Sequence, residues 1–125
     1  MGSISANNKI YWGGGVVISA DPTVGYEPTN LVEIRDLATN TTAFDCLSEP
    51  KDQLTAVRKD NKIIFFGAYD VTRFDIYDLT TNSWSIGVLP QNLLRASIIS
   101  YNNTIYAAGG ELNGFLSNQV WKLEF

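Results

Sequence analysis

The chain alternates short apolar runs with turn-forming residues, and one apolar phrase occurs three times. It reads NKIYWGGG at residues 8–15, NKIIFFGA at 61–68 and NTIYAAGG at 103–110. Each copy begins with asparagine, continues as an apolar run of strand length and ends at glycine. Gly14, Gly67 and Gly109 are equivalent in this alignment, 53 and then 42 residues apart. Spacing of this size indicates a repeated structural unit.

We call each phrase strand B, and further strands are predicted around it. Strand A precedes it as SISA, LTAVRK or ASIISY, and strand C follows it within VEIRDLATNTT, FDIYDLTTNSW or VWKLEF. Strand D is TTAFDCLSE in the first copy and SWSIGVLP in the second, and the third copy has none. The pairs Asn7-Asn8, Asp60-Asn61 and Asn102-Asn103 separate strands A and B. These residue types tolerate positive φ, which predicts a tight type I′ hairpin in each copy.

The motifs resemble those of the kelch family of β-propellers. The resemblance rests on the glycine pairs that end strand B and on IYDLTTNSW, which ends at Trp84. The copies depart from the family pattern at Ala68, where a second glycine belongs, and at Thr42, which stands in the place of Trp84. The residues we assign to the structural repeat are Gly14, Gly15, Gly67, Gly109, Gly110 and Trp84.

A phosphate-binding loop is the alternative interpretation of the triple glycine at residues 13–15. That loop requires a Gly-Lys-Ser/Thr ending and a following helix, and the sequence has neither here. Glycines that let neighbouring backbones approach closely are the favoured explanation.

The resemblance implies an all-β fold of kelch-type propeller blades, each made of four antiparallel strands. We expect a half-propeller of three blades, the last incomplete, with approximate boundaries 1–52, 53–93 and 94–125. Three blades do not close a ring, since propellers have about four to eight. A six-bladed ring would be completed either by a second copy of the chain or by the remaining blades of a longer protein.

Composition narrows the possible chemistry. The nine basic residues are scattered and the formal net charge is −4, so nucleic acid is a poor candidate partner. Without histidine the chain cannot form a Ser-His-Asp triad, and we predict no metal site and no cofactor. No apolar stretch is long enough for a membrane span. Cys46 is the single cysteine, and we expect it to be a small buried side chain.

Candidate ligand-binding residues lie in the loops that join strands B to C and D to A, where kelch-like propellers commonly meet ligands. The B–C connections differ in length, spanning residues 16–30, 69–73 and 111–118. The first loop contains Pro22 and Pro28, which reduce its conformational freedom. The candidates are Asp21, Tyr26, Glu27, Tyr69, Asp70, Arg73, Arg95, Glu111 and Asn113.

Three functions remain open at this level. A binding module for a protein, peptide or glycan requires nothing that the sequence lacks. A carbohydrate-active enzyme similar to kelch-like sialic-acid isomerases would use Arg73, Arg95 and Glu111, whereas a copper oxidase would need histidine. The third possibility is a purely structural assembly unit. The resemblance favours the surface or exterior of a bacterial cell.

Overall fold

The computed structural model describes residues 1–67, 72–92, 94–112 and 114–124. These residues form an all-β structure of antiparallel strands in separate open sheets. The described residues include no helix of the length and apolar character required to cross a membrane.

The first sheet, sheet I, contains the first copy of the repeat. Its strands are β1 (Gly2–Ala6), β2 (Lys9–Gly13), β3 (Val16–Ile18), β4 (Tyr26–Asp36) and β5 (Thr41–Lys51). The order β1-β2-β4-β5 is that of predicted strands A to D. Strand β3 adds to the first part of β4, which extends past the end of β2.

The second sheet, sheet II, repeats the same order without an additional strand. It contains β6 (Leu54–Lys59), β7 (Lys62–Gly67), β8 (Arg73–Asp78) and β9 (Ser83–Val88) in sequential antiparallel pairing. The chain enters this sheet from β5, which ends at Lys51, and leaves it for β10, which begins at Ser97.

The third sheet, sheet III, has three strands, and a separate hairpin lies within its longest connection. The sheet contains β10 (Ser97–Tyr101), β11 (Thr104–Ala108) and β14 (Val120–Leu123). The hairpin pairs β12 (Glu111–Leu112) with β13 (Phe115–Leu116). Two predicted loops, residues 16–30 and 111–118, therefore contain strands of their own.

The hairpins between strands A and B have two-residue turns in all three copies. In the first and third copies both central residues adopt positive φ, 49° and 62° at Asn7-Asn8 and 45° and 63° at Asn102-Asn103. In the middle turn only Asp60 does so, at 54°. That pattern is typical of type II′, so the expectation of a type I′ turn is wrong for this copy.

The turns between strands C and D repeat the same hydrogen bonds in sheets I and II. Asp36 accepts from the backbone N–H groups two and three residues further on, at 2.9 and 3.2 Å. Asp78 does the same at 2.8 and 3.1 Å. In both turns the asparagine that follows has positive φ, 58° at Asn40 and 53° at Asn82. The two copies are thus alike in local structure as well as in sequence.

Sheet II lies between the other two, because apolar clusters cover both of its faces. Strand β6 contacts β1 on one side and β10 on the other. Ile63 and Phe65 belong to a cluster shared with sheet I, whereas Ile64 and Phe66 belong to one shared with sheet III. This two-sided burial explains why β7 reads as a continuous apolar run and not as an alternating one. Each fully buried side chain of this kind stabilises the fold by about 1.5–3 kcal/mol.

Cys46 is exposed, so the prediction of a buried cysteine is wrong. It pairs with Leu31 across β4 and β5, and both side chains are exposed. The neighbouring register pair, Val32 with Asp45, points the opposite way toward sheet II, where Val32 is buried. Alternation along the strand therefore places Cys46 on a face that no other described sheet covers.

Candidate functional site

The candidate site lies at the end of the sheets where strands β2, β7 and β11 finish, which we call the loop end. The first and third B–C connections meet the connections between sheets there. Gly15 donates its N–H to the carbonyl of Lys51 at 2.7 Å, and Glu111 donates to the carbonyl of Leu94 at 2.9 Å. The opposite end carries the short A–B and C–D turns.

The glycine pairs position the loop end by allowing close backbone contact. Gly14 has φ of 67°, and a Cβ atom there would lie 2.5 Å from the carbonyl oxygen of Lys51. Gly110 has φ of 84°, and its Cβ would lie 2.5 Å from the carbonyl oxygen of Leu94. Both positions combine a left-handed backbone with space for hydrogen only, so a larger residue would displace the connection it touches. Gly67 and Gly109 also have positive φ, at 82° and 69°.

The first B–C connection is a hairpin arm, residues 16–28, formed by β3 and the start of β4. Val17 pairs with Glu27, and Ile18 pairs with Tyr26. Tyr26 and all three residues of β3 have exposed side chains. Within the described part of the chain β3 pairs with β4 alone, so its other backbone edge faces away from the sheet.

Asp21 stabilises the turn of this arm. Its carboxylate accepts from the hydroxyl of Thr23 at 2.7 Å and from the backbone N–H of Thr23 at 2.9 Å. These two bonds hold the pKa of Asp21 below its ordinary value. Glu27 accepts from the hydroxyl of Ser19 at 3.3 Å. Both acidic candidates therefore participate in the structure of the arm, while Tyr26 projects from it.

A second group of polar side chains forms where sheets II and III approach each other. Arg95 donates to the carboxylate of Glu111 at 2.6 Å and to the side chain of Gln53 at 2.9 Å. Gln53 and Arg95 occupy equivalent positions, each just before strand A of its sheet. Both have positive φ, 46° and 56°. Non-glycine residues in this conformation carry strain of the order of 1 kcal/mol, a feature that clusters at functional sites.

Glu111 is the first residue of the hairpin of β12 and β13, where it pairs with Leu116. Phe115 and Leu116 are largely exposed at its far side. Two of the three B–C connections thus carry exposed apolar side chains on short hairpins, and the Arg95–Glu111 ion pair adjoins one of them.

Arg73 belongs to a different part of the loop end. Its guanidinium lies 3.9 Å from the carboxylate of Glu49, and both side chains are partly exposed. The structure therefore joins two of the three residues considered for an isomerase, Arg95 and Glu111, and pairs the third with another partner. Tyr69, Asp70 and Asn113, also predicted as ligand-binding residues, lie outside the described residues.

Sequence reasoning missed a buried ion pair that joins sheets I and II. Lys51 at the end of β5 donates to Asp75 of β8 at 2.6 Å and to the backbone carbonyl of Arg73 at 2.6 Å. The second carboxylate oxygen of Asp75 accepts from the backbone N–H of Ser48 at 2.8 Å. The two charged side chains are 0% and 2% exposed. An aspartate between Phe74 and Ile76 in an apolar strand was the available signal.

Trp84 also joins sheets I and II. Its indole N–H donates to the carboxylate of Asp45 at 2.8 Å, and its ring lies 4.9 Å from that of Tyr77. Trp121 packs against the cluster between sheets II and III. Among the described residues, no three His, Cys, Asp or Glu side chains are grouped so that they could hold a metal ion.

Comparison with known proteins adds no family assignment. No protein-family model matches the chain, and a search of curated proteins finds no significant relative.

Proposed function

We propose that the chain is a kelch-type β-propeller module of three blades that acts as a binding scaffold. Sheets I, II and III are the blades, and strands β1, β6 and β10 are their innermost strands. The repeated turns, the glycine pairs and the stacking of sheets on both faces of sheet II support this assignment. The ring is completed by a second copy or by further blades of a longer protein.

The ligand that the loop end fits best is an extended peptide segment of a protein partner. The observation that carries this proposal is the free edge of β3, whose three β-branched residues are exposed. An unpaired strand edge can pair with the backbone of an extended peptide, while exposed side chains of the arm bind alternate side chains of that peptide. Aliphatic side chains on both faces of the arm favour a peptide with apolar residues over a glycan.

Selection from a library of random linear peptides tests this proposal. The purified chain is immobilised, and the affinity of each selected peptide is measured by fluorescence polarisation. We expect the double substitution Ile18→Ser and Tyr26→Ser to weaken binding at least about tenfold, because this register pair supplies exposed apolar side chains beside the edge at which the peptide would pair. The control is Ile86→Ser, which removes an exposed apolar side chain from β9.

Circular dichroism and thermal melting test whether both variants remain folded. The proposal predicts that the control binds the peptides as the unmodified chain does. It is contradicted if the selection yields no binder, or if the selected peptides bind the arm variant with unchanged affinity.

A further inference from the structure

Sheets I and III each have one face packed on sheet II and one face that no described residue covers. The uncovered face of sheet I, which we call the leading face, carries Ile10, Trp12, Glu33, Arg35 and Phe44. The uncovered face of sheet III, which we call the trailing face, is formed by Ile99, Tyr101, Tyr106, Val120, Lys122 and Glu124. Phe44, Ile99 and Val120 are each exposed by 64% or more.

The alignment of the three copies identifies the faces of sheets I and II that are equivalent to the trailing face. Tyr11, Ile64 and Tyr106 are equivalent; the first two are buried against the following sheet, whereas Tyr106 is 37% exposed. Val32 and Phe74 are buried in the same way, and the equivalent Val120 is 71% exposed. The trailing face is therefore the face that packs on a following sheet in both earlier copies.

The leading face corresponds to the opposite side of the repeat. Ile63 and Ile105 are fully buried against the preceding sheet, and the equivalent Ile10 is only half-buried. Phe65 is buried against Gly13 of sheet I, and its equivalent in sheet I is the half-buried Trp12. The leading face is thus the face that receives a preceding sheet. The interfaces I–II and II–III show how a trailing face would fit a leading face.

The same alignment shows that the charges on the two faces are complementary in sign. Along β14 the trailing face carries a cation and then an anion, Lys122 and Glu124, which now pair with each other at 2.8 Å. Along the equivalent part of β4 the leading face carries Glu33 and then Arg35, in the opposite order of sign. The positions of Lys122 and Glu33 correspond to Ile76 and Trp121, which pack against the same apolar cluster between sheets II and III. If a trailing face stacked on a leading face as sheet II stacks on sheet III, opposite charges would lie close to each other.

We propose that a second copy of this chain covers these faces, with the trailing face of each copy on the leading face of the other. This inference rests on the repeat architecture of the proposed function but not on the peptide-binding arm. The contact is heterologous, and two such contacts join two chains into a ring of six sheets. Burial of the exposed apolar side chains drives the association. The charges favour contact of a trailing face with a leading face over contact of two like faces.

Charge reversal on each face, followed by mixing, tests the proposal. The mass in solution is measured by light scattering over a range of concentrations for the unmodified chain, Lys122→Glu and Glu33→Lys. The unmodified chain should form a species of about 28 kDa, twice the 13.8 kDa chain. Each variant alone places like charges together at both contacts, so its association should weaken at least about tenfold.

An equimolar mixture of the two variants should regain the affinity of the unmodified chain. In that mixed pair, one contact joins the two substituted faces, whose charges are exchanged. The other contact joins the two unsubstituted faces, which keep the original charges. Ser85→Glu is the control, because it adds a negative charge to the outermost strand of sheet II, away from both faces. Circular dichroism and thermal melting show whether each variant folds.

Three results would overturn the proposal. The first is an unmodified chain that remains monomeric at every concentration. The second is Glu33→Lys with unchanged association, which would mean that two trailing faces meet each other. The third is a mixture that associates no better than the separate variants. Peptide binding by the arm is measured independently, so failure here leaves the binding proposal to its own test.

Discussion

The buried pair of Lys51 and Asp75 gives the sharpest prediction about how sheets I and II are held together. Substitution of one partner alone leaves the other charge in a site that water does not reach. Breaking a buried ion pair in this way costs about 3–5 kcal/mol. The free energy of unfolding of a domain of ordinary stability is about 5–15 kcal/mol. Lys51→Met or Asp75→Asn should therefore remove a large part of that free energy.

The double substitution should be much less harmful than the sum of the single ones. With both charges removed, the amide oxygen introduced by Asp75→Asn would still accept from the N–H of Ser48, and the site would contain no uncompensated ion. We expect the double variant to lose about 1–3 kcal/mol, the cost of imperfectly satisfied polar groups. The coupling energy of the cycle should therefore be about 3 kcal/mol or more.

Urea denaturation followed by tryptophan fluorescence measures the cycle. All variants are compared at one protein concentration, because association would shift the transition. Lys9→Met is the matched control, because it removes a partly exposed lysine from the surface pair with Asp36 and should change the midpoint little. If the losses of the two single variants add in the double variant to within about 0.5 kcal/mol, the two side chains do not stabilise the fold as a pair.

Two further predictions concern the repeat itself. Gly110→Ala should destabilise the chain by about 1–3 kcal/mol more than Gly114→Ala. Both glycines have positive φ, but only a Cβ at position 110 would lie against backbone atoms. Equal losses of stability in urea denaturation would contradict the role of close backbone approach. The backbone N–H groups of Thr81 and Thr80 hold the pKa of Asp78 below its ordinary value of 3.8. The ionised carboxylate therefore stabilises the fold at higher pH, and this contribution is lost as the pH falls through the folded value. Asp78→Asn keeps an acceptor but does not titrate, so its urea midpoint should fall less steeply between about pH 5 and 2; an unchanged slope would contradict this assignment.

The local part of the fold could be predicted from the sequence, because it depends on neighbouring residues. Alternation, glycine and asparagine specify the four-strand order in sheets I and II and the two-residue turns. The turn at Asp60 shows the limit. Its residue types allow positive φ at both positions, but only Asp60 adopts it. The side chain of Asn61 instead donates to Asp78 and Thr80 of the C–D turn, at 3.2 and 2.8 Å, and the two residue types alone do not predict these contacts.

The parts that were missed depend on which surfaces meet. The exposure of Cys46 follows from the absence of a covering sheet among the described residues, which alternation alone does not reveal. Strand β3 is three residues long and forms by pairing with an extended β4. Lys51 and Asp75 lie 24 residues apart, and nothing local to either predicts the other. At the loop end, Arg95 and Glu111 were individually predictable as polar loop residues, but their direct pairing was not.

Amide hydrogen exchange, measured residue by residue by NMR, tests whether sheet II is enclosed between two sheets of the same kind. Packing on both faces of sheet II predicts that the amides of β7, Lys62–Gly67, exchange only when the whole domain unfolds, whereas those of β3, Val16–Ile18, exchange orders of magnitude faster. Comparable exchange rates in β7 and β3 would contradict the packing of sheet II on both faces and the repeat architecture built on it.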